Sequence, residues 1–296
     1  EFGIKTVYCS LMFSGLTILL EWVSPRAKPI NEEPVLDLVC AILLTAFLVP
    51  VLPAQEMPDF SSIPAEQFLQ YTIHRLKPDP QKEIWMKMNG KIQHRRKGFS
   101  TLTSPIRLGV LFMPARAMGV LSLDDGAESY RLTQQFTVPP TPPTCIPAGN
   151  GQDAAKAKLP VFGLSPNDLM LGFLYRKPVR EEAQTHVSIY NTRVFVMFLP
   201  KGTDGEKDFD QYARVYISTE YLVPLKVEWF KEDPVGKDPE PYRSFEITAI
   251  KKINGYVMVS KMRLYGPDWR TRIDFSHLDI GEVDENGAPK DLFNLK

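Results

Sequence analysis

Four histidines, His74, His94, His186 and His277, are the first residues to weigh for chemistry, because imidazole both binds metals and moves protons near neutral pH. No two of them stand at a helix-face spacing or beside a cysteine pair, so no metal-ligand set is expected. Asp124-Asp125 before Gly126 sets two carboxylates side by side, but neighbours on a turn point apart, and turn chemistry accounts for them. No G-x-S-x-G, phosphate loop or G-x-G-x-x-G occurs, which leaves the common hydrolase and nucleotide signatures without residues. A hydrolase of envelope polymers would need a clustered acid-base pair that the spacing does not supply. No catalytic residue, metal or cofactor is therefore expected, and the chain does not read as an enzyme. With 35 Lys+Arg against 35 Asp+Glu in 296 residues, no overall field attracts nucleic acid. The basic run Lys91, His94, Arg95, Arg96 and Lys97 has two readings: a contact for an anionic head group or acidic partner, or a solvated hairpin end, which short charge runs usually are.

The elements that would position a site are mostly strands. Residues 212–217, 225–230, 242–252, 256–265 and 269–278 form short apolar-alternating runs separated by turn signals, which predicts an antiparallel meander. Strict alternation puts Leu225, Val227 and Trp229 on one face, with Lys226 and Glu228 on the other. Asn254-Gly255 and Gly266-Pro267-Asp268 are chain reversals. Further strands are expected within 83–93, 108–113, 119–123, 130–138 and 186–199. In the last of these Phe195 and Met197 face one way and Val194, Val196 and Phe198 the other, so both faces should be covered by helices. Residues 64–76 read as an amphipathic helix, with Pro64 in the first turn, Phe68, Leu69, Thr72, Ile73 and Leu76 on one stripe, and Pro78 as its stop. A short second helix is expected to start near Ser165 as N-cap, with Pro166 next and Asp168 three residues after the cap. The proline-rich stretch 138–151 reads as a surface loop that does not divide the chain.

The content of these strands resembles one family. "ARVYISTEYLVPLKVEWFKED" at 213–233, "FEITAIKKINGYVMVSKMRLYG" at 245–266, "TRIDFSHLDIG" at 271–281, "DLMLGFLYRKP" at 168–178 and the closing "DLFNL" at 291–295 are similar to the outer-membrane lipoprotein-sorting proteins, the LolA-like group. The resemblance spans roughly residues 60–295, through diffuse strand patterns and without an invariant catalytic signature. It implies an α+β fold: a curved, open antiparallel sheet, or half-barrel, whose concave side is covered by helices. It also implies a carrier that holds a lipoprotein acyl chain or another lipid in an apolar cavity, with an inner-membrane donor and an outer-membrane acceptor as possible partners and a monomeric state. A lipid-sensing or regulatory subunit on the same fold is the alternative. The cavity candidates are Phe68, Leu69, Ile73, Trp85, Leu169, Phe173, Trp229 and Phe245. Each reads equally as ordinary core, because periodicity does not distinguish a filled interior from a ligand-sized one. The proline-rich stretch is not part of the family pattern, and no position takes the family's cavity arginine.

Two uncharged apolar runs, 8–20 and 38–49, are each shorter than the roughly 20 residues a membrane-spanning helix needs. The second has the form of a signal-peptide core, followed by Pro50, Pro53 and a small residue, Ala54, before Gln55. Residues 1–54 are therefore expected to comprise an N-terminal extension and a signal peptide cleaved after Ala54, with the signal starting near Val35. Residues 55–296 then form one periplasmic domain. The other reading is an uncleaved apolar anchor. Cys9 and Cys40 fall in the removable part, so no disulfide is expected within residues 55–296, where Cys145 is the one cysteine.

Overall fold

The computed structural model describes residues 49–50, 59–75, 81–136, 144–148, 162–164, 168, 171–201, 211–236 and 239–294. The expected signal segment up to residue 48, its cleavage point, the Ser165-Pro166 cap, Leu169 and the prolines at 139–143 lie outside these residues. The described residues build one sheet in which every pairing is antiparallel. Its strands are β1 (Val49–Pro50), β2 (Ile84–Arg96), β3 (Leu102–Met113), β4 (Arg116–Leu123), β5 (Glu128–Gln135), β6 (Thr144–Pro147), β7 (Pro178–Val187), β8 (Tyr190–Leu199), β9 (Gln211–Ser218), β10 (Pro224–Phe230), β11 (Arg243–Ile253), β12 (Tyr256–Tyr265) and β13 (Trp269–Glu282). Twelve lie on one path, β6-β5-β4-β3-β2-β13-β12-β11-β10-β9-β8-β7, while β1 pairs with β12 through Val49–Val257 and Pro50–Tyr256. The path ends at β6 and β7, so the curved sheet is open, as the family resemblance implied.

The expected meander is present as β9 to β13. Ile253 and Tyr256 close a two-residue loop in which Asn254 and Gly255 both take positive φ, 50° and 83°, the left-handed pair that matches strand twist. Where β2 reads through Asn89-Gly90 without turning, the glycine has a packing reason. β13 bulges between Phe275 and His277, and a Cβ on Gly90 would meet the Asp274 carbonyl oxygen at 2.2 Å. β3 starts six residues before the expected 108 and tolerates Pro105, because β4 pairs only from Ile106 onward and Pro105 lies where β3 has outrun it.

Three expectations change. The single strand at 186–199 is a hairpin, β7 and β8, turning at Ser188-Ile189; β7 escaped notice because an edge strand bearing Arg180, Glu181 and Glu182 carries no apolar alternation. Part of the expected proline-rich loop is β6, paired to β5 from Thr144 to Pro147. The outer face of β8 is covered by the β10–β11 loop and by charge, not by helices. Arg180 and Arg214 both donate to the Pro234 carbonyl (3.1 and 3.0 Å), and Arg180 binds Asp233 at 2.6 Å. Glu182 joins both arginines, and Tyr216 donates to Glu228 at 2.8 Å. Burial, then the neighbouring Glu228 charge, push the Tyr216 hydroxyl above the ordinary phenol range, which keeps it a donor.

The helical cover among the described residues is α1 (Ala65–Arg75), the helical Asp168 of the expected second helix, and a 3-10 turn at Gly172–Tyr175. No described helix is long and apolar enough to cross a membrane.

Candidate functional site

Alternation along the strands gives the sheet one apolar inner face. Cross-strand partners share a face, so Phe195, Val215, Val227, Phe245 and Leu264 form one row across β8 to β12. Met197, Ala213 and Trp229 form the next. All eight are buried. α1 lays its stripe on these rows: Phe68 stacks on Phe195 at 5.7 Å with an 18° interplanar angle, and Phe60, just before the helix, meets Phe68 edge-on at 6.5 Å. From the 3-10 turn Phe173 meets Trp229 edge-on at 6.1 Å.

Among the residues singled out from sequence, Phe68, Leu69, Phe173, Trp229 and Phe245 are buried in this interior, and Ile73 packs against it half-buried. Trp85 stands apart. Ile84, Met86 and Met88 point inward along β2, so Trp85 lies half-buried on the opposite face, its ring about 3 Å from where a Cβ on Gly281 would sit. Leu169 is outside the described residues.

Sequence reasoning missed the polar groups that hold the cover down. Arg193, 4% exposed, binds Glu181 through Nε and Nη2, both at 2.7 Å, and its Nη1 donates to the carbonyls of Phe60 (3.3 Å) and Ile63 (2.6 Å) at the entrance to α1. Its guanidinium also lies 4.6 Å from the centre of the Phe68 ring. Arg243 grips both carboxylate oxygens of Asp168, with Nη2 to Oδ1 at 2.9 Å, and lies 4.0 Å over Trp229. Thr271, buried in β13, donates to the Phe162 carbonyl at 2.6 Å. Its one proton being used there, Thr271 accepts from His94 Nδ1 at 2.8 Å, which fixes the imidazole as the Nδ1–H tautomer. Burial, then the Arg96 charge, lower the His94 pKa from 6.5 and keep the ring neutral. A signal for the arginines was present: Arg193 is in phase with Phe195 and Met197, and Arg243 with Phe245 and Ile247, and a charge in phase with an apolar face must find a buried partner. Among the described residues Thr72 Oγ1, on the inward stripe of α1, is a buried polar atom with no hydrogen-bond partner.

Two hydroxyls lie beside imidazoles among the described residues: Thr271 at His94, its proton already given to the Phe162 carbonyl, and exposed Ser276 at the adjacent His277 (3.0 Å). What the interior offers is apolar surface under a cover fixed by a few directional contacts.

No protein-family model and no curated protein matches the sequence. Solved structures do. A DUF1329 family protein from Desulfovibrio piger is similar over 78% of this chain and 98% of its own, with 12% identity and a TM-score of 0.53. An outer membrane lipoprotein-sorting protein domain from Vibrio parahaemolyticus aligns over 77% of this chain and 94% of its own, with 10% identity and a TM-score of 0.47. A LolA superfamily protein from Nitrosomonas europaea aligns over 78% and 98%, with 11% identity and a TM-score of 0.46. The chain shares the fold of the Desulfovibrio protein, and that fold is the open curved sheet implied by the resemblance of its strands to the LolA-like group.

Proposed function

We propose that the chain is a carrier that shelters the acyl chain of a lipoprotein, or another lipid, between the sheet and its cover and hands it on toward the outer membrane. The observation that carries this reading is the contrast inside the molecule. The concave face is apolar row by row, while the cover reaches it through two buried arginine contacts, Arg193 and Arg243, and one hydroxyl, Thr271. A cover so fixed can leave as a unit and expose a continuous apolar bed. Each 100 Å² of ligand surface buried there would contribute about 2.5 kcal/mol, set against the ring contacts of Phe68 and Phe173 that fill the bed when it is empty. The mechanism is exchange without a bond made or broken. The strand resemblance supports a periplasmic setting reached through the segment ending at Ala54, a monomeric carrier, and membrane-bound donor and acceptor partners.

Native mass spectrometry with lipid extraction, on protein purified from a cell-envelope fraction, tests the proposal. The expected result is a co-purifying acylated species at one per chain. A lipid-free protein that also takes up no fluorescent fatty acid would sink it. If that lipid-free protein instead retained an envelope membrane protein, the regulatory reading on the same fold would replace it.

A further inference from the structure

The outer face of β2, β13 and β12 carries an arrangement that the interior does not explain. Arg272 on β13 pairs directly with Arg263 on β12, and Arg270 pairs directly with Arg95 on β2. Two like-charged cross-strand pairs therefore sit two residues apart along the same strand and on the same face. Like charges directly opposite destabilise a sheet, and this chain has no net charge that would make such crowding a matter of composition. The local acids do not resolve it. Asp274 binds Arg272 at 2.9 Å and is shared with Lys261 at 3.6 Å, while Asp268 is held by Arg96 at 2.7 Å. Glu246 stands opposite Arg263 on β11, yet no ion pair joins them. Arg95, Arg263 and Arg270 are exposed and make no ion pair among the described residues. Together with Gln93 and Tyr265, the four arginines line a depression of about 400 Å³.

We infer that this depression is a binding site for a phosphate-bearing anion. A guanidinium is a planar fork matched to two oxygens of a tetrahedral oxyanion. Neighbouring strands lie roughly 4.8 Å apart, so the four forks are spaced to reach a phosphate or diphosphate from both sides, with the Gln93 amide and Tyr265 hydroxyl as neutral donors. A bound dianion converts two repulsive pairs into attractive ones, which gives the arrangement its physical sense. The basic run 91–97 read from sequence is divided accordingly: Arg95 faces this site, Arg96 is tied to Asp268, and His94 turns inward to Thr271. The inference is independent of whether the interior carries a lipid.

The test uses the 296-residue chain in two arms at low ionic strength: calorimetric titration with inorganic pyrophosphate, and sedimentation with phosphatidylcholine vesicles containing phosphatidylglycerol. Wild-type protein is expected to bind in at least one arm, with affinity falling as salt rises. Pyrophosphate binding alone identifies a soluble ligand; sedimentation that pyrophosphate cannot reproduce identifies a lipid-borne phosphate. Arg263→Gln/Arg270→Gln should weaken binding at least tenfold while leaving the melting temperature equal or higher, because one member of each repulsive pair is gone. Arg263→Lys/Arg270→Lys, which keeps charge and removes the fork, should retain binding weakened severalfold. Absence of binding in both arms overturns the inference. So does an equal loss on removing the same charge elsewhere, in Lys251→Gln/Lys252→Gln, since that would show a diffuse field and no site.

Discussion

Asp168 and Arg243 form a bidentate pair with side chains only 3% and 10% exposed, over the face of Trp229. Removing one partner of such a pair leaves a buried, unanswered charge, so Arg243→Met is expected to cost about 3–5 kcal/mol in urea unfolding. Asp168→Leu/Arg243→Met together should recover most of that loss; a double variant no better than the single would refute the pairing argument. The unpartnered Thr72 hydroxyl gives a prediction of opposite sign. Thr72→Val keeps the shape and removes a buried polar group that nothing answers, so the chain should gain about 1–3 kcal/mol, and a loss of stability would show that the hydroxyl has a partner after all. His94 sets a pH dependence. Its folded pKa lies below the unfolded 6.5, so the unfolded chain binds the extra proton and stability rises with pH. That contribution is complete above about 6.5 and is lost as pH falls below it through the folded value. Between pH 7.5 and 5.5 the melting temperature of the wild type should therefore fall further than that of His94→Gln; parallel curves would remove His94 from the account.

At the level of elements, the close approaches are as decisive as the apolar patterns. The last described segment lies across the outer face of β3, where a Cβ on Gly109 would meet the Leu292 carbonyl oxygen at 1.8 Å. Lys87 binds Asp291 beside it, and that hydrogen bond holds the Asp291 carboxyl below the usual carboxylate range. Gly109→Ala should lift this segment, speed tryptic cleavage after Lys290 and cost about 1–3 kcal/mol; an unchanged digest would show that the tail can shift without being released. None of this was legible in the sequence, because a glycine inside a strand announces a close approach without naming its neighbour. What was legible had local causes: the Asn254-Gly255 turn, the alternation of Leu225, Val227 and Trp229, and the stripe on α1 from Phe68 to Thr72. What was not legible depended on partners in other elements. β7 reads as polar until β8 supplies its ladder, and β6 reads as loop until β5 does. The phase of Arg193 and Arg243 puts them on the apolar face, but it does not name Glu181 and Asp168, which arrive from other elements. Trp85 illustrates the limit from the other side, since an aromatic residue on a strand suggests an interior and only the phase of Ile84 and Met86 places it outside.

Across the whole molecule, the two ends of the sheet are protected differently from its middle. β6 is short and closes on Pro147, and β7 presents Arg180, Glu181 and Glu182, so neither edge invites a further strand. The middle is the junction of β2 with β13, a ladder running from Trp269–Arg96 to Glu282–Ile84 that joins the first long described strand to the last described one. A ribosome delivers β2 early and β13 late, so for most of synthesis the edge of β2 that faces away from β3 has nothing beside it, and the nascent protein carries in its centre an unpaired edge without the protection that β6 and β7 give the margins. The last strand thus acts as a keystone set by the direction of translation, and a message truncated before Trp269 would yield two half-sheets, each with a bare edge and a tendency to find the wrong neighbour.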